Sequence, residues 1–181
     1  MNQSNKKLTF MVYTALCIAM VTLCTMIIKV PSVKGGYVNF GDIVIFITAV
    51  LLGKRAGMLA GGIGSAMADL LLGYSVYAPA TFVIKGLEGF LCALIANRKD
   101  KEATIKSMIP AVIISAAWMV LGYFIFEFKI GGLLFANESF GFTAAVFNLP
   151  GNIVQGTVSA LVAIPFILAL RKTKLNFNLK R

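Results

Sequence analysis

Five ionisable side chains stand inside or at the edges of long apolar stretches: Asp42, Asp69, Lys85, Glu88 and Glu127. Asn148, Asn152 and Gln155 join them, with Tyr74, Tyr77, Tyr123 and Trp118. An ionisable group at a membrane-helix centre costs ~2.5–3.5 kcal/mol on insertion scales, so each needs a partner or a purpose. Carboxylates, one ammonium, amides and aromatic rings suit a small water-soluble ring compound. Such a ring stacks on aromatics and takes its orientation from a few hydrogen bonds. Lys85 and Glu88, three apart on one helix, also suit an internal ion pair, with Asp69 as a cross-helix partner of Lys85. Asn148 and Asn152, four apart, also suit interhelical hydrogen bonding. Glu127 reads as a solvated group at the outer edge.

The stretches that carry these groups run over 9–28, 40–53, 57–73, 78–96, 108–126 and 142–170. They predict an all-α integral membrane bundle of six transmembrane helices in a single domain, 1–181. The chain is 59% hydrophobic with a mean hydropathy of +0.86. A bilayer core takes about 20 residues of helix. The stretch at 40–53 is shorter and must tilt or thin the bilayer locally. The stretch at 142–170 exceeds one span, and Pro150–Gly151 predicts an irregular entry to it.

Of the 17 Lys and Arg residues, one threading of the chain leaves only Lys29, Lys34 and Lys129 outside, with Lys85 inside a span. Lys6, Lys7, Lys54, Arg55, Arg98, Lys99, Lys101, Lys106, Arg171, Lys172, Lys174, Lys180 and Arg181 then face the cytoplasm, as do both termini. The positive-inside rule selects this orientation. It also accounts for the formal net charge of +10 without nucleic acid, which calls for a contiguous basic face on a soluble domain.

In this orientation Asp69 lies about one turn below the outer face. Lys85 and Glu88 lie ~10–15 Å below it at 1.5 Å per residue. Asp42 opens the second helix from outside. Tyr123 and Glu127 lie near the outer end of the fifth, Asn148 and Asn152 occupy the outer half of the sixth, and Gln155 is near its middle. The polar groups form a cup open outward, and the inner half is apolar. The outer loop 29–39, with Pro31, Gly35 and Gly36, reads as its cap or flap.

Composition removes other chemistries. The chain has no histidine, so His catalysis and His-ligated zinc are excluded. No catalytic or metal site is expected, and the chain reads as a non-enzyme. Cys17, Cys24 and Cys92 stand in apolar spans with no Cys-x-x-Cys spacing and read as packing residues. Gly61-Gly62-Ile63-Gly64 lies within a span and is not followed by Lys-Ser/Thr, so no phosphate loop is present. Uphill transport would take its energy from an ion gradient or another subunit. Small residues recur at helical spacing: Ala15 and Ala19; Gly57, Gly61 and Ser65; Ala60, Gly64 and Ala68. Such stripes let backbones approach closely.

Three segments give the chain a family likeness. Ala15-Leu16-Cys17-Ile18-Ala19 matches an Ala-xxx-Ala motif. Tyr37-Val38-Asn39-Phe40-Gly41-Asp42 opens the second helix. Ser65 to Tyr74, with Pro79-Ala80-Thr81 and Lys85-Gly86-Leu87-Glu88-Gly89, spans the third and fourth. Over its whole length the chain resembles the substrate-binding S components of energy-coupling factor (ECF) vitamin transporters, most closely the riboflavin, hydroxymethylpyrimidine and pyridoxine-like branch.

The resemblance implies a high-affinity subunit in a bacterial plasma membrane that binds a water-soluble vitamin or precursor in its outer half. Asp42, Asp69, Tyr74, Lys85, Glu88, Tyr123, Asn148, Asn152 and Gln155 are the expected ligand-binding residues. Ala15 and Ala19 are the expected docking face for a transmembrane scaffold (T) subunit driven by two cytoplasmic ATPases. The chain then carries no cofactor of its own, and its partners use ATP. The alternative from the residues alone is a stand-alone secondary transporter of a small polar metabolite, which paired broken helices or a continuous polar path would favour.

Overall fold

The structure is a computed structural model that describes residues 3–32, 34–97, 103–131, 133 and 140–172. Helix α1 spans Gln3–Ile27. A hairpin follows, with β1 at Lys29–Pro31 and β2 at Tyr37–Asn39, paired antiparallel so that Val30 faces Val38. Helices α2 (Gly41–Leu52) and α3 (Lys54–Leu59) are joined at Gly53, whose φ of 91° lets the chain reverse in one residue. A π-helical turn at Ala60–Gly64 links α3 to α4 (Ser65–Leu71). Then come α5 (Ala78–Ala96), α6 (Ile105–Ile125) with a π-helical extension at Phe126–Gly131, and α7 (Phe142–Lys172).

Six helical segments therefore stand where six apolar stretches predict them, with α3, the π turn and α4 as one interrupted rod. Among the described residues, four helices are long and apolar enough to cross a membrane: Gln3–Ile27, Ala78–Ala96, Ile105–Gly131 and Phe142–Lys172. Two expectations change. The all-α reading omits the hairpin, because three-residue strands carry no detectable period. The irregular entry at Pro150 is absent, because α7 is helical on both sides of Pro150 and Pro165. In a membrane helix, neighbouring groups and small local adjustments accommodate the backbone carbonyl that a proline leaves unpaired. The segment with Arg98, Lys99 and Lys101, residues 132 and 134–139, and the tail with Lys174, Lys180 and Arg181 lie outside the described residues.

Helix α5 packs against α3, α6 and the π turn, while α1 packs on α2 and the π turn, and α7 on α2 and α6. The glycines make this possible. A methyl on Gly57 would lie 2.8 Å from the Gly89 carbonyl oxygen, and one on Gly61 would strike the Lys85 carbonyl. On the other face, a methyl on Gly64 would lie 2.8 Å from the Ile18 carbonyl oxygen. Both small-residue stripes of the third segment are therefore spent inside the bundle, one on α5 and one on α1. Lipid is as apolar as a protein core, so close packing and buried polar contacts hold such helices together better than area burial does.

The core divides by depth. Phe46, Ala49, Val50, Ala56, Cys92, Ala93, Met108, Val112, Ala163 and Ile167 form one apolar cluster, all fully buried. It fills the end of the bundle where α2 finishes and α6 begins. The opposite end, where α2 begins and the hairpin lies, holds the buried charged groups Asp42, Asp69, Lys85, Glu88 and Glu127.

Candidate functional site

The cavity at that end has a volume of about 250 Å³. The hairpin roofs it with Val30, Pro31, Ser32, Gly35, Gly36, Tyr37, Val38 and Asn39. The walls are Thr25 of α1, Ser65 and Asp69 of α4, Thr81 and Lys85 of α5 with Tyr77 just before it, Tyr123 of α6 with Glu127 of its extension, and Phe147, Asn148, Gly151, Asn152 and Gln155 of α7. Ser65 and Asp69 are four apart, so one helix face carries both into the wall. A methyl on Gly151 would lie 2.9 Å from Val38 Cγ2, so glycine there lets β2 settle directly on α7.

The floor is a buried ionic chain. Lys85 Nζ pairs with Asp42 Oδ1 and lies 3.2 Å from Glu88 Oε2. Gln155 Nε2 donates to Asp42 Oδ2 at 2.8 Å, and Gln155 Oε1 accepts the Asn39 backbone N–H at 2.8 Å. Lys85, Asp42 and Glu88 are all at most 1% exposed. One ammonium thus holds two carboxylates, and one amide ties that group to β2. A buried pair of this kind collapses energetically if one partner is removed, because the other charge stays behind without compensation.

The roof is latched in two places. Tyr37 OH donates to Asp69 Oδ1 at 2.6 Å. Burial and the adjacent Asp69 carboxylate both raise the Tyr37 phenol, so it remains a donor. Its ring also packs on Tyr74 at 4.7 Å between centroids. The second latch is Asn148. Its Oδ1 accepts from Ser32 Oγ, and its Nδ2 donates to the Gly35 carbonyl at 3.2 Å and to Glu127 Oε1 at 2.9 Å. On the wall between them, Thr81 Oγ1 and Tyr123 OH are 3.0 Å apart, and Lys85 Nζ lies 5.7 Å from the Tyr123 ring centroid.

Six of the nine expected ligand-binding residues line the cavity: Asp69, Lys85, Tyr123, Asn148, Asn152 and Gln155. Three do not. Asp42 and Glu88 stand behind Lys85, and Tyr74 supports Tyr37 from the side. The expected Asp69–Lys85 pair is replaced by Asp42–Lys85, and Asp69 turns to Tyr37 instead. Glu127, read from sequence as a solvated edge group, is 3% exposed and lines the wall. Its place near a helix end concealed this, because Tyr77 and Asn148, distant in the chain, meet it only in three dimensions. Thr25, Ser32, Tyr37, Asn39, Ser65 and Thr81 were also missed. Hydroxyls and loop residues carry no insertion penalty large enough to mark them.

Ala15 and Ala19 lie far from the cavity on an exposed face of α1. Leu16, Met20 and Leu23 continue this face, each more than half exposed.

The family model for the ECF-type riboflavin transporter, S component, matches residues 5–172. A curated relative, the thiamine precursor transporter HmpT of Lactococcus lactis subsp. cremoris, is 31% identical over 170 residues, 92% of this chain and 90% of that protein. An uncharacterized protein of Pyrococcus woesei is 40% identical over 104 residues, 57% of this chain and 68% of that one. A solved structure described as the S component of a bacterial ECF transporter superposes with a TM-score of 0.65 at 18% identity, covering 97% of this chain and 100% of that chain. That likeness is one of fold.

Proposed function

The chain belongs to the family of ECF-type riboflavin transporter S components, and we propose that it is the membrane-embedded binding subunit for a small water-soluble vitamin or vitamin precursor of the hydroxymethylpyrimidine, pyridoxine or riboflavin type. One observation carries this reading. A cavity of about 250 Å³ is lined by polar groups at one end of an otherwise apolar bundle, under a latched hairpin. Its family is one of transporters and vitamin uptake in the membrane, not of enzymes.

The ligand rests on the Lys85 floor, between Asp69 and Glu127, with Asn148, Asn152 and Gln155 orienting it and Tyr123 packing on it. Asp42, Glu88 and Tyr74 act from behind this layer by holding Lys85 and Tyr37. All six helical segments cross the bilayer, with both termini in the cytoplasm of a bacterial cell and the hairpin outside. The thinnest segment, α2, has only 12 residues, and its neighbours shield it from lipid.

Inward delivery uses partners: a T subunit that docks on Ala15 and Ala19, and two cytoplasmic ATPases that consume ATP. The apolar cluster below the cup argues for this division of labour. Its fully buried members are all apolar. Reconstituted alone in vesicles, the protein is expected to hold about one ligand per chain and to accumulate none under a proton or sodium gradient. Adding the partner complex with ATP on the cytoplasmic side is expected to start accumulation. Gradient-driven accumulation by the chain alone would instead make it a secondary transporter.

A further inference from the structure

Away from the cavity, α6 and α7 leave a long groove between them. It has a volume of about 850 Å³ and runs from Ile109 and Ile164 at one end to Phe124 and Leu149 at the other. Its middle carries small residues, Ala116, Ala117, Gly156 and Ala160. Gly156 and Ala116 are spent on each other, because a methyl on Gly156 would lie 3.0 Å from Ala116 Cβ. The rims are long side chains, with Ile109, Ile113, Leu121, Ile153 and Leu161 exposed. Thr157 carries the one hydroxyl in the lining and donates it within its own helix to the Ile153 carbonyl at 2.8 Å. No side chain in the lining therefore asks for a polar partner.

Positive charge gathers at one mouth of this groove. Lys106 stands on the same α6 face as Ile109 and Ile113, one turn and two turns further on. Arg171 stands on the same α7 face as Ile164, with Lys172 beside it. The Arg171 guanidinium donates to the Ala103 carbonyl just ahead of α6. That bond holds the end of α7 against the start of α6, so three cations surround the opening. Lys106 and Lys172 are exposed there. Asp100 and Glu102 of the preceding loop lie outside the described residues.

We infer that the groove binds one anionic phospholipid, with an acyl chain laid between α6 and α7 and its phosphate held by Lys106, Arg171 and Lys172. Width favours a lipid over a partner helix. Packed helices stand about 8–10 Å apart, so the crease between them is narrower than a third helix, about 10–12 Å across with side chains. Close helix approach also needs small residues on the outer surface, and these rims are long or branched. Length agrees: Ile109 to Phe124 covers ~22 Å, more than the ~15 Å of hydrocarbon in one leaflet. A chain entering at the basic mouth is therefore covered over its whole length. Charge completes the match, because juxtamembrane Lys and Arg attract anionic headgroups. The proposed docking residues Ala15 and Ala19 stand elsewhere, on α1, which packs on α2 and the π turn. Placing the lipid in the inner leaflet rests on the orientation proposed above, whereas the headgroup preference does not.

The test titrates the purified full chain in detergent micelles with phosphatidylglycerol and with phosphatidylcholine of the same acyl chains, read by native mass spectrometry. The readout is independent of which way the chain is threaded. One phosphatidylglycerol per chain is expected to bind about a hundredfold tighter than phosphatidylcholine, at about fivefold for each of three cations. Lys106→Gln with Lys172→Gln keeps the Arg171 bond to Ala103 and is expected to remove about twenty-fivefold of that preference. Lys6→Gln with Lys7→Gln removes the same charge from exposed residues of α1 and is expected to leave the preference unchanged. Ala117→Trp fills the groove from an exposed position and is expected to weaken both lipids. A preference below about tenfold, equal losses in the two double variants, or unaltered lipid binding by Ala117→Trp would each overturn the inference. In the last case, loss of T-subunit co-purification with Ala117→Trp would make the groove a protein face instead. If a variant fails to fold, the two-lipid comparison on the unchanged protein still decides.

Discussion

Gln155 on α7 donates to Asp42 at the start of α2 at 2.8 Å, and the same amide accepts the Asn39 N–H at 2.8 Å. One side chain therefore couples the ionic floor of the cavity to the last strand residue of its roof. Floor and roof are parts of one hydrogen-bonded unit, and substitutions in the floor should be felt in ligand retention.

Gln155→Leu keeps the volume and removes both hydrogen bonds. It leaves Asp42 Oδ2 and the Asn39 N–H buried without partners, at ~1–3 kcal/mol for each group. Affinity for the ligand should fall by about tenfold or more, and protease sensitivity at the hairpin should rise. Titration and limited proteolysis on the same preparation check this. Unchanged values in both would separate floor from roof.

Lys85→Met should be the most damaging single change in the site. It leaves Asp42 and Glu88 buried side by side without their shared cation, a loss of ~3–5 kcal/mol by comparison with other buried pairs. Thermal unfolding in detergent should show the loss. Adding Asp42→Asn and Glu88→Gln to Lys85→Met should recover much of the stability and none of the binding. A Lys85→Met protein as stable as the parent would remove the ionic floor from the account.

Gly61→Ala tests the packing that sets the site. The new methyl collides with the Lys85 backbone carbonyl, so the third rod must move away from α5. Overpacking of this kind costs ~1–3 kcal/mol. Because Lys85 and Asp69 stand on the two displaced elements, binding should weaken together with stability. At Gly73 nothing lies near the added methyl. The Gly73→Ala change should cost only the ~1 kcal/mol of a left-handed φ of 83° and leave binding unchanged.

Ala15→Trp and Ala19→Trp address the partner face. Both positions are exposed on α1, so a large ring there leaves the bundle intact while blocking close helix approach. Ligand binding by the isolated protein should be preserved. Uptake in cells carrying the partner subunits should be abolished, and co-purification of the T subunit should fail. Uptake at the parental rate with either variant would move the docking face elsewhere.

The amino-acid sequence alone determined the solvent and the architecture. Six apolar stretches leave a membrane chain few options, because only helices and closed barrels satisfy every backbone group in lipid. It also determined which end of the bundle is polar, because ionisable groups at helix centres are costly enough to reveal themselves by depth. The small-residue stripes of the third segment were legible as packing faces for the same kind of reason: a missing Cβ has one strong consequence inside a helix pair. The pairing of the charges was decided only by tertiary structure. Glu88 is within helical reach of Lys85 and pairs with it as its spacing predicts, but the cross-helix partner expected from the sequence was Asp69. The close approach of the π turn to α5 at Gly61 and the position of Gln155 on α7 instead bring Lys85 to Asp42 and leave Asp69 to Tyr37. Glu127 shows the same limit. Whether a carboxylate at a helix end meets water or a closed cavity depends on the segments folded over it, and those contacts cross long stretches of chain that no local pattern records.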